Sequence, residues 1–505
     1  MHRTSGILLH PTSLPGPDGV GDVGPMAYRF LDWLAAAGQG LWQVLPLGPT
    51  GYRDSPYQCT SAFAGNPLLI SLELLREAGW LDAADGERDQ APSFPPARVD
   101  FGAVHAHKDR QLGRAFERFE AQADAPARDA YARFCREQAD WLDDYALFAA
   151  LKRAQGGRAW TDWPQGLALR DAEALAGWQA AHRRAVDFER FCQFLFFRQW
   201  HALRARAHAK GIRLVGDIPI FVAHDSAEVW SHREWFHLDA AGHPTVIAGV
   251  PPDYFSATGQ RWGNPLYRWD ALAADGYGFW VRRLRRTLAL VDYVRIDHFR
   301  GFAGFWEVPA AESNAINGRW VPGPGMALFR ALRGALGDTL PLIAEDLGVI
   351  TEDVVALRDA LELPGMAILQ LAFEDPRGGF AEVRFLPHNH RRRMVVYTGT
   401  HDNNTLLGWW AALDPAMRAN ALRYLRSDGR EIHWDFIATA LASVGGLAVV
   451  PLQDVLGLGA EARMNRPGSA EDNWQWRCTS TQLDGADSAR LADLTALYGR
   501  GPHPA

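Results

Sequence analysis

Short apolar runs recur along this chain, each followed by a polar or Gly/Pro-rich turn. They cover residues 6–10, 41–46, 213–218, 291–297, 341–345, 367–371, 394–398 and 447–451. Continuous apolar runs mark strands buried on both faces, the pattern of a parallel sheet. Helix-like segments separate them. Residues 26–37, for example, carry apolar positions at helical spacing and stop at Gly38. Eight such strands with intervening helices predict an α/β fold, a (β/α)8 TIM barrel.

The spacing of the runs is uneven. A long stretch separates the second run from the third. It opens with the loop-like Gly51-Tyr52-Arg53-Asp54-Ser55-Pro56-Tyr57 and continues rich in Ala, Arg, Glu and Leu. This predicts a helical and loop insertion over about 50–200, grafted into one βα loop. A second insertion is expected over about 220–290. It contains the stretch 249–264, with aromatics on a Gly/Pro frame, the makeup of an ordered functional loop. The chain 1–505 is read as a single catalytic barrel carrying these two insertions, with no C-terminal β-sandwich.

Composition narrows the function. The net charge is -7, and the basic residues are scattered, which argues against a nucleic-acid partner. The densest basic clusters, Arg283-Leu284-Arg285-Arg286 and Arg391-Arg392-Arg393, are expected to be solvated faces. Four distant cysteines contain no CxxC pair and fit a reducing, cytoplasmic setting. The apolar run at Gly6-Ile7-Leu8-Leu9 is too short for a signal-peptide core. No run of about 18 apolar residues suggests a membrane span. Lysine occurs only at Lys108, Lys152 and Lys210, all in helix-like contexts, which counts against Schiff-base chemistry. His105/His107 and His388/His390 have strand-like i,i+2 spacing, but no HExxH or calcium loop accompanies them. Neither a metal nor a cofactor is expected.

Three runs end on, or lead into, a carboxylate. Asp297 closes Tyr293-Val294-Arg295-Ile296-Asp297, Glu345 closes Leu342-Ile343-Ala344-Glu345, and Asp402 follows Thr398-Gly399-Thr400-His401. In a barrel these positions converge on one mouth. Glycoside cleavage with retention needs one ionised carboxyl to attack and one protonated carboxyl to donate. Asp297 suits attack, because Arg295 lies two residues earlier on the same strand face and favours the ionised form. Glu345 emerges from apolar surroundings that should raise its pKa, as an acid requires. Asp402, beside His401, can grip sugar hydroxyls. Tyr57, Tyr254, Phe255 and Trp262 sit in Gly/Pro-rich stretches and are expected to stack on sugar faces. Each acid alone has an ordinary reading: an ion pair of Asp297 with Arg295 or Arg300, a helix cap at Glu345-Asp346, turn chemistry at His401-Asp402-Asn403-Asn404.

With these residues in view, the chain resembles the amylomaltases, also called 4-α-glucanotransferases or disproportionating enzymes. The motifs are Ser55-Pro56-Tyr57-Gln58 with Ser61-Ala62-Phe63-Ala64-Gly65-Asn66-Pro67, the loop 249–264, Arg295-Ile296-Asp297-His298-Phe299-Arg300-Gly301, Ile343-Ala344-Glu345-Asp346-Leu347-Gly348, Thr400-His401-Asp402-Asn403 and Asn465-Arg466-Pro467-Gly468. The resemblance implies Asp297 as nucleophile, Glu345 as acid and base, and Asp402 as transition-state stabiliser. It implies Arg295 and His401 flanking the donor glucose, Asp217 supporting the mouth, and Asn465 in the binding loop. The loop with Tyr254, Phe255 and Trp262 would serve the acceptor side, with Tyr57 opposite. Maltooligosaccharides and starch- or glycogen-derived α-glucans would be the substrates of a monomer or weak homodimer. Two positions depart from the family pattern: Asp472 stands where a glycine is expected, and Cys59-Thr60 are unusual. The carboxylates alone do not separate this transferase from an α-glucan hydrolase on the same scaffold. A maltodextrin-binding protein without catalysis and a metal-dependent barrel enzyme are the more distant readings.

Overall fold

The computed structural model describes residues 2–82, 93–252, 256–374, 383–469 and 471–501. In chain order its strands are β1 (Thr4–Leu8), β2 (Leu41–Gln43), β3 (Arg213–Pro219), β4 (Val246–Val250), β5 (Gln260–Pro265), β6 (Tyr293–Asp297), β7 (Gly304–Pro309), β8 (Arg319–Pro322), β9 (Leu342–Ala344), β10 (Gly365–Ile368), β11 (Met394–Tyr397) and β12 (Leu447–Pro451). Eight of them form one parallel sheet in the order β10-β11-β12-β1-β2-β3-β6-β9. Strands β2, β9, β10 and β12 are buried at every position, which is why their sequences are almost wholly apolar, buried Gln43 in β2 being the exception.

The two ends of this sheet meet without a ladder. Ala344 N–H donates to the Pro364 carbonyl at 2.9 Å, and Met366 N–H donates to Asp346 Oδ1 at 2.8 Å. Asp346 also accepts from Arg358 at 2.6 Å and pairs with Arg384 at 3.1 Å. A buried carboxylate thus stitches the seam that closes the barrel. Gly365 is needed beside it, because a Cβ there would lie 2.5 Å from an Asp346 oxygen. Opposite the mouth, the buried Arg500 guanidinium donates to the carbonyls of Leu441, Thr4, Gly446, Ser443 and Gly445, tying the C-terminal segment to β1.

Every expected apolar run overlaps one barrel strand, with edges displaced by up to three residues. β1 starts earlier than the run 6–10, and β10 ends before 370–373, which turn into a 3-10 helix. Leu9 and Leu369 are as buried as the strands they follow, so hydrophobicity does not mark where the ladder stops. The helix expected over 26–37 is Pro25–Ala36.

The β2–β3 connection holds the long helices Phe101–Gln122, Ala125–Glu137, Ala139–Ala154 and Arg183–Ala209. Asp100 and Asp124 cap two of them by accepting from Ala103 and Ala127 N–H groups. His105 and His107 therefore lie on a helix, not a strand. Buried Lys108 on that helix reaches Asp22 at 3.0 Å and the Ile70 carbonyl at 2.7 Å, pinning the helix to the loop after β1.

Two expectations are corrected. The stretch 249–264 is not one irregular loop: its ends lie in β4 and β5, part of a second sheet with antiparallel order β5-β4-β7-β8. Gly249 sits there because a Cβ would come within 2.4 Å of the Gln260 carbonyl across the hairpin. Arg283 is not on a solvated face: it is buried and donates to the Ile220 and Pro219 carbonyls at 3.1 and 2.6 Å, bracing the end of β3.

Removing the seam carboxylate leaves the Met366 N–H without its acceptor and Arg358 with Asp359 as its remaining carboxylate. Asp346→Ala is expected to lower unfolding free energy by about 3 kcal/mol or more, read as a lower urea midpoint.

Candidate active site

The mouth is built where β3, β6, β9 and β11 end. The β3–β6 register places Asp217 beside Arg295 and Pro219 beside Asp297. Strand alternation then turns Asp217, Arg295 and Asp297 to the same side. The Arg295 guanidinium donates to Asp217 Oδ2 at 2.7 Å and pairs with Asp297 Oδ1 at 2.9 Å. Its side chain is 3% exposed, whereas that of Asp297 is 30% exposed and faces the mouth. The pairing anticipated for Asp297 is therefore with Arg295. Arg300 instead donates to the Val349 carbonyl and stacks over Trp320 at 3.9 Å.

Glu345 lies one residue beyond β9, but the ladder carries on through it. Its N–H donates to the Ile296 carbonyl and its carbonyl accepts from Phe299, both at 3.1 Å. Its carboxyl is held by two main-chain donors: Leu347 N–H on Oε1 and His298 N–H on Oε2, each at 2.7 Å. No helix starts here. The next helix is Glu352–Ala360, so the cap reading of Glu345-Asp346 is set aside.

Asp402 sits in the loop after β11. Asn465 Nδ2 donates to Oδ1 at 2.6 Å and His401 Nε2 lies 3.3 Å from Oδ2. Asn465 N–H in turn donates to the His401 carbonyl, and Arg463 donates to the Asp402 carbonyl at 2.8 Å. Turn chemistry is present beside it but belongs to Asn403, whose side-chain oxygen accepts from Thr400 N–H and Oγ1 at 2.9 Å.

Rings complete the wall. Tyr57 donates to Asp217 Oδ2 at 2.9 Å and stacks on His401 with centroids 5.1 Å apart. Trp474 packs against both, at 5.8 and 5.9 Å. Trp262 belongs to β5 rather than to a loop and meets His298 edge-on at 4.7 Å. Tyr254 and Phe255 lie outside the described residues. Asp472, where a glycine was expected, has φ of 59°, the left-handed region glycine favours, and Trp474 follows with φ of 66°. The sequence reading did not single out Trp474, Arg463 or the His298 N–H. Only Trp474 left a signal, in the run Asn473-Trp474-Gln475-Trp476.

Charge separates the three acids. Burial, and then the like charge of Asp297, push Glu345 up to about 7 against Arg295 and its two N–H donors. Burial lifts Asp217 to about 6, with Arg295 offsetting part of the rise, so it stays ionised at neutral pH. Burial would also raise Asp402, but His401 and the Asn465 donor outweigh it and hold Asp402 well below the usual range. Asp402 correspondingly lifts His401 above its ordinary value, more than offsetting burial. Near neutrality the mouth thus keeps Glu345 partly protonated while Asp402, beside His401, is ionised, the split arrangement of acid–base carbohydrate chemistry.

A family profile described as 4-alpha-glucanotransferase matches residues 9–482. The chain is 54% identical to the 4-alpha-glucanotransferase of Thermus thermophilus, over 99% of each chain. It is 49% identical to that of Synechocystis sp., over 99% of this chain and 98% of the other. An amylomaltase from Streptococcus agalactiae, solved with acarbose, superposes with a TM-score of 0.94 at 38% identity, over 99% of this chain and all of that one. A match over nearly the full length, together with the barrel and its acidic mouth, gives the conclusion that this chain belongs to the 4-alpha-glucanotransferase family.

Proposed function

We propose that this enzyme moves α-1,4-glucan segments between maltodextrins by double displacement, with Asp297 as nucleophile, Glu345 as acid and base, and Asp402 as stabiliser. The observation that carries this reading is the contrast between two neighbouring carboxyl groups. Asp297 faces the Arg295 guanidinium at 2.9 Å, while Glu345 is buried and pushed up to about 7. In the first step Asp297 attacks the anomeric carbon of the donor. The bond to the departing chain breaks, and its oxygen takes the Glu345 proton. A β-linked glycosyl-enzyme results. In the second step the 4-hydroxyl of an acceptor attacks the same carbon and gives its proton to Glu345. The Asp297 ester bond breaks, and the α-configuration is restored. Asp402, ionised beside His401, grips hydroxyls of the distorted sugar and stabilises positive charge on the ring.

Arg295, Asp217 and Tyr57 form one hydrogen-bonded chain that holds Asp297 in place. His401 and Asn465 do the same for Asp402. Tyr57 and Trp262 offer ring surface to bound glucose. The hairpin of β4 and β5, with Tyr254 and Phe255 in the segment between them, is assigned to the acceptor, whose binding must exclude water for transfer to win over hydrolysis. Two insertions, about 50–200 and 220–290, then serve a single catalytic barrel. Maltooligosaccharides and starch- or glycogen-derived glucans are the substrates. The acarbose held by the Streptococcus agalactiae amylomaltase supports this substrate class. The described cysteines are free, in keeping with a reducing, cytoplasmic setting.

Three measurements test these assignments. Incubation with maltotriose should yield glucose and longer oligosaccharides with reducing ends constant; a steady rise in reducing ends would mean a hydrolase. Glu345 must carry its proton in the first step, so kcat/KM should fall as pH rises through about 7. Finally, Glu345→Gln should lower kcat/KM on maltotriose by about 10²–10⁴-fold. It should spare glycosyl-enzyme formation from α-maltosyl fluoride, whose leaving group needs no proton, whereas Asp297→Asn should abolish both reactions. Equal losses of Glu345→Gln on the two donors would reject the acid role.

A further inference from the structure

His298 follows Asp297 directly and has φ of 57°, in the left-handed region. A non-glycine residue there is uncommon and persists only when its surroundings favour it. Two contacts make the demand. Phe299, the next residue, is fully buried and packs edge-on against Phe302 and at a tilt against Phe329. The His298 ring meets Trp262 on β5 at 4.7 Å. The outcome of the turn is chemical: the His298 N–H points at Glu345 Oε2, at 2.7 Å.

We propose that His298 is a positioning residue, whose left-handed backbone aims its N–H at Glu345 and so fixes the orientation and proton affinity of that carboxyl. This deepens the reading of Glu345 as acid and base and rests on it. The groups facing Glu345 are few. Asp297 and Arg295 act from β6, and the Leu347 N–H acts from its own loop. Asp346 points away, to Arg358 and Arg384. The His298 ring does not compete as a titrating group, because burial, followed by the charge of Arg300, lowers it to about 3. What His298 contributes is a donor that favours the ionised carboxyl and restrains the rise caused by burial and Asp297. It also links the acid to β5, the strand that bears Trp262.

The test compares side chains that accept or refuse the left-handed region. Asn accepts it and Val does not. Glu345 would be followed through its side-chain ¹³C carboxyl signal, assigned by its loss in Glu345→Gln, alongside the pH profile of kcat/KM. In His298→Val the Glu345 titration should move up by about half a unit or more, with kcat falling and KM near the parent value. In His298→Asn it should stay within about 0.3 units of the parent, because the N–H keeps its aim. Should His298→Val not fold, His298→Ala, strained but less crowded, supplies the same arm. Equal shifts in the two classes of variant, or none in either, would overturn the inference. Failure of the underlying reading has a separate signature: a limb near pH 7 in kcat/KM that persists in Glu345→Gln.

Discussion

The arrangement of the mouth follows from one buried cation. Arg295 sits on a barrel strand with almost no access to water, and an unpaired guanidinium there would be prohibitively costly. Two carboxylates, on its own and the neighbouring strand, pair with it, and Tyr57 donates to the same Asp217 oxygen that Arg295 reaches. The parallel register makes this possible, because it sets Asp217 level with Arg295 while strand alternation sets Asp297 on the same side. Asp297 is consequently oriented by a partner that is itself locked, and it keeps an open face toward the mouth.

The other two acids are governed by what surrounds them rather than by Arg295 alone. Glu345 is clamped by two main-chain donors, yet burial and Asp297 raise its proton affinity so that it is partly protonated near neutrality. Asp402 shares its site with a histidine and an amide donor and remains ionised. One mouth therefore holds carboxyl groups in different states, which is what a reaction that first gives a proton and then takes it back requires. The rigidity behind this begins at the seam, where Asp346, the residue next to the acid, closes the barrel. Catalytic geometry and barrel closure are thus neighbours in the chain.

The barrel strands were legible because burial on both faces leaves long apolar runs and little else in a chain does. The three acids were legible because Asp297 and Glu345 close such runs and Asp402 lies in the turn that follows one. In the structure Tyr57, Asp217 and Arg295 chain together beside Asp297, and His401 and Asn465 contact Asp402. The small antiparallel sheet was not legible. Its four strands come from two separate connections, and short Gly-containing strands such as 260–265 carry the same composition as a loop. Arg283 was misread for a related reason: a basic run looks solvated unless one knows that carbonyl groups at the end of β3 lie beneath it.

Sequence by itself determined the elements and the chemistry of their ends: which runs are strands, which of them finish on an acid, and which family pattern they follow. Only the folded chain decided the states of those acids. The proton on Glu345 depends on the nearness of Asp297 and on an N–H delivered by a left-handed residue on another strand's loop, and the ionisation of Asp402 depends on Asn465, far along the chain. Proton affinity is set by distances and burial, and these come into being when separate segments close upon one another.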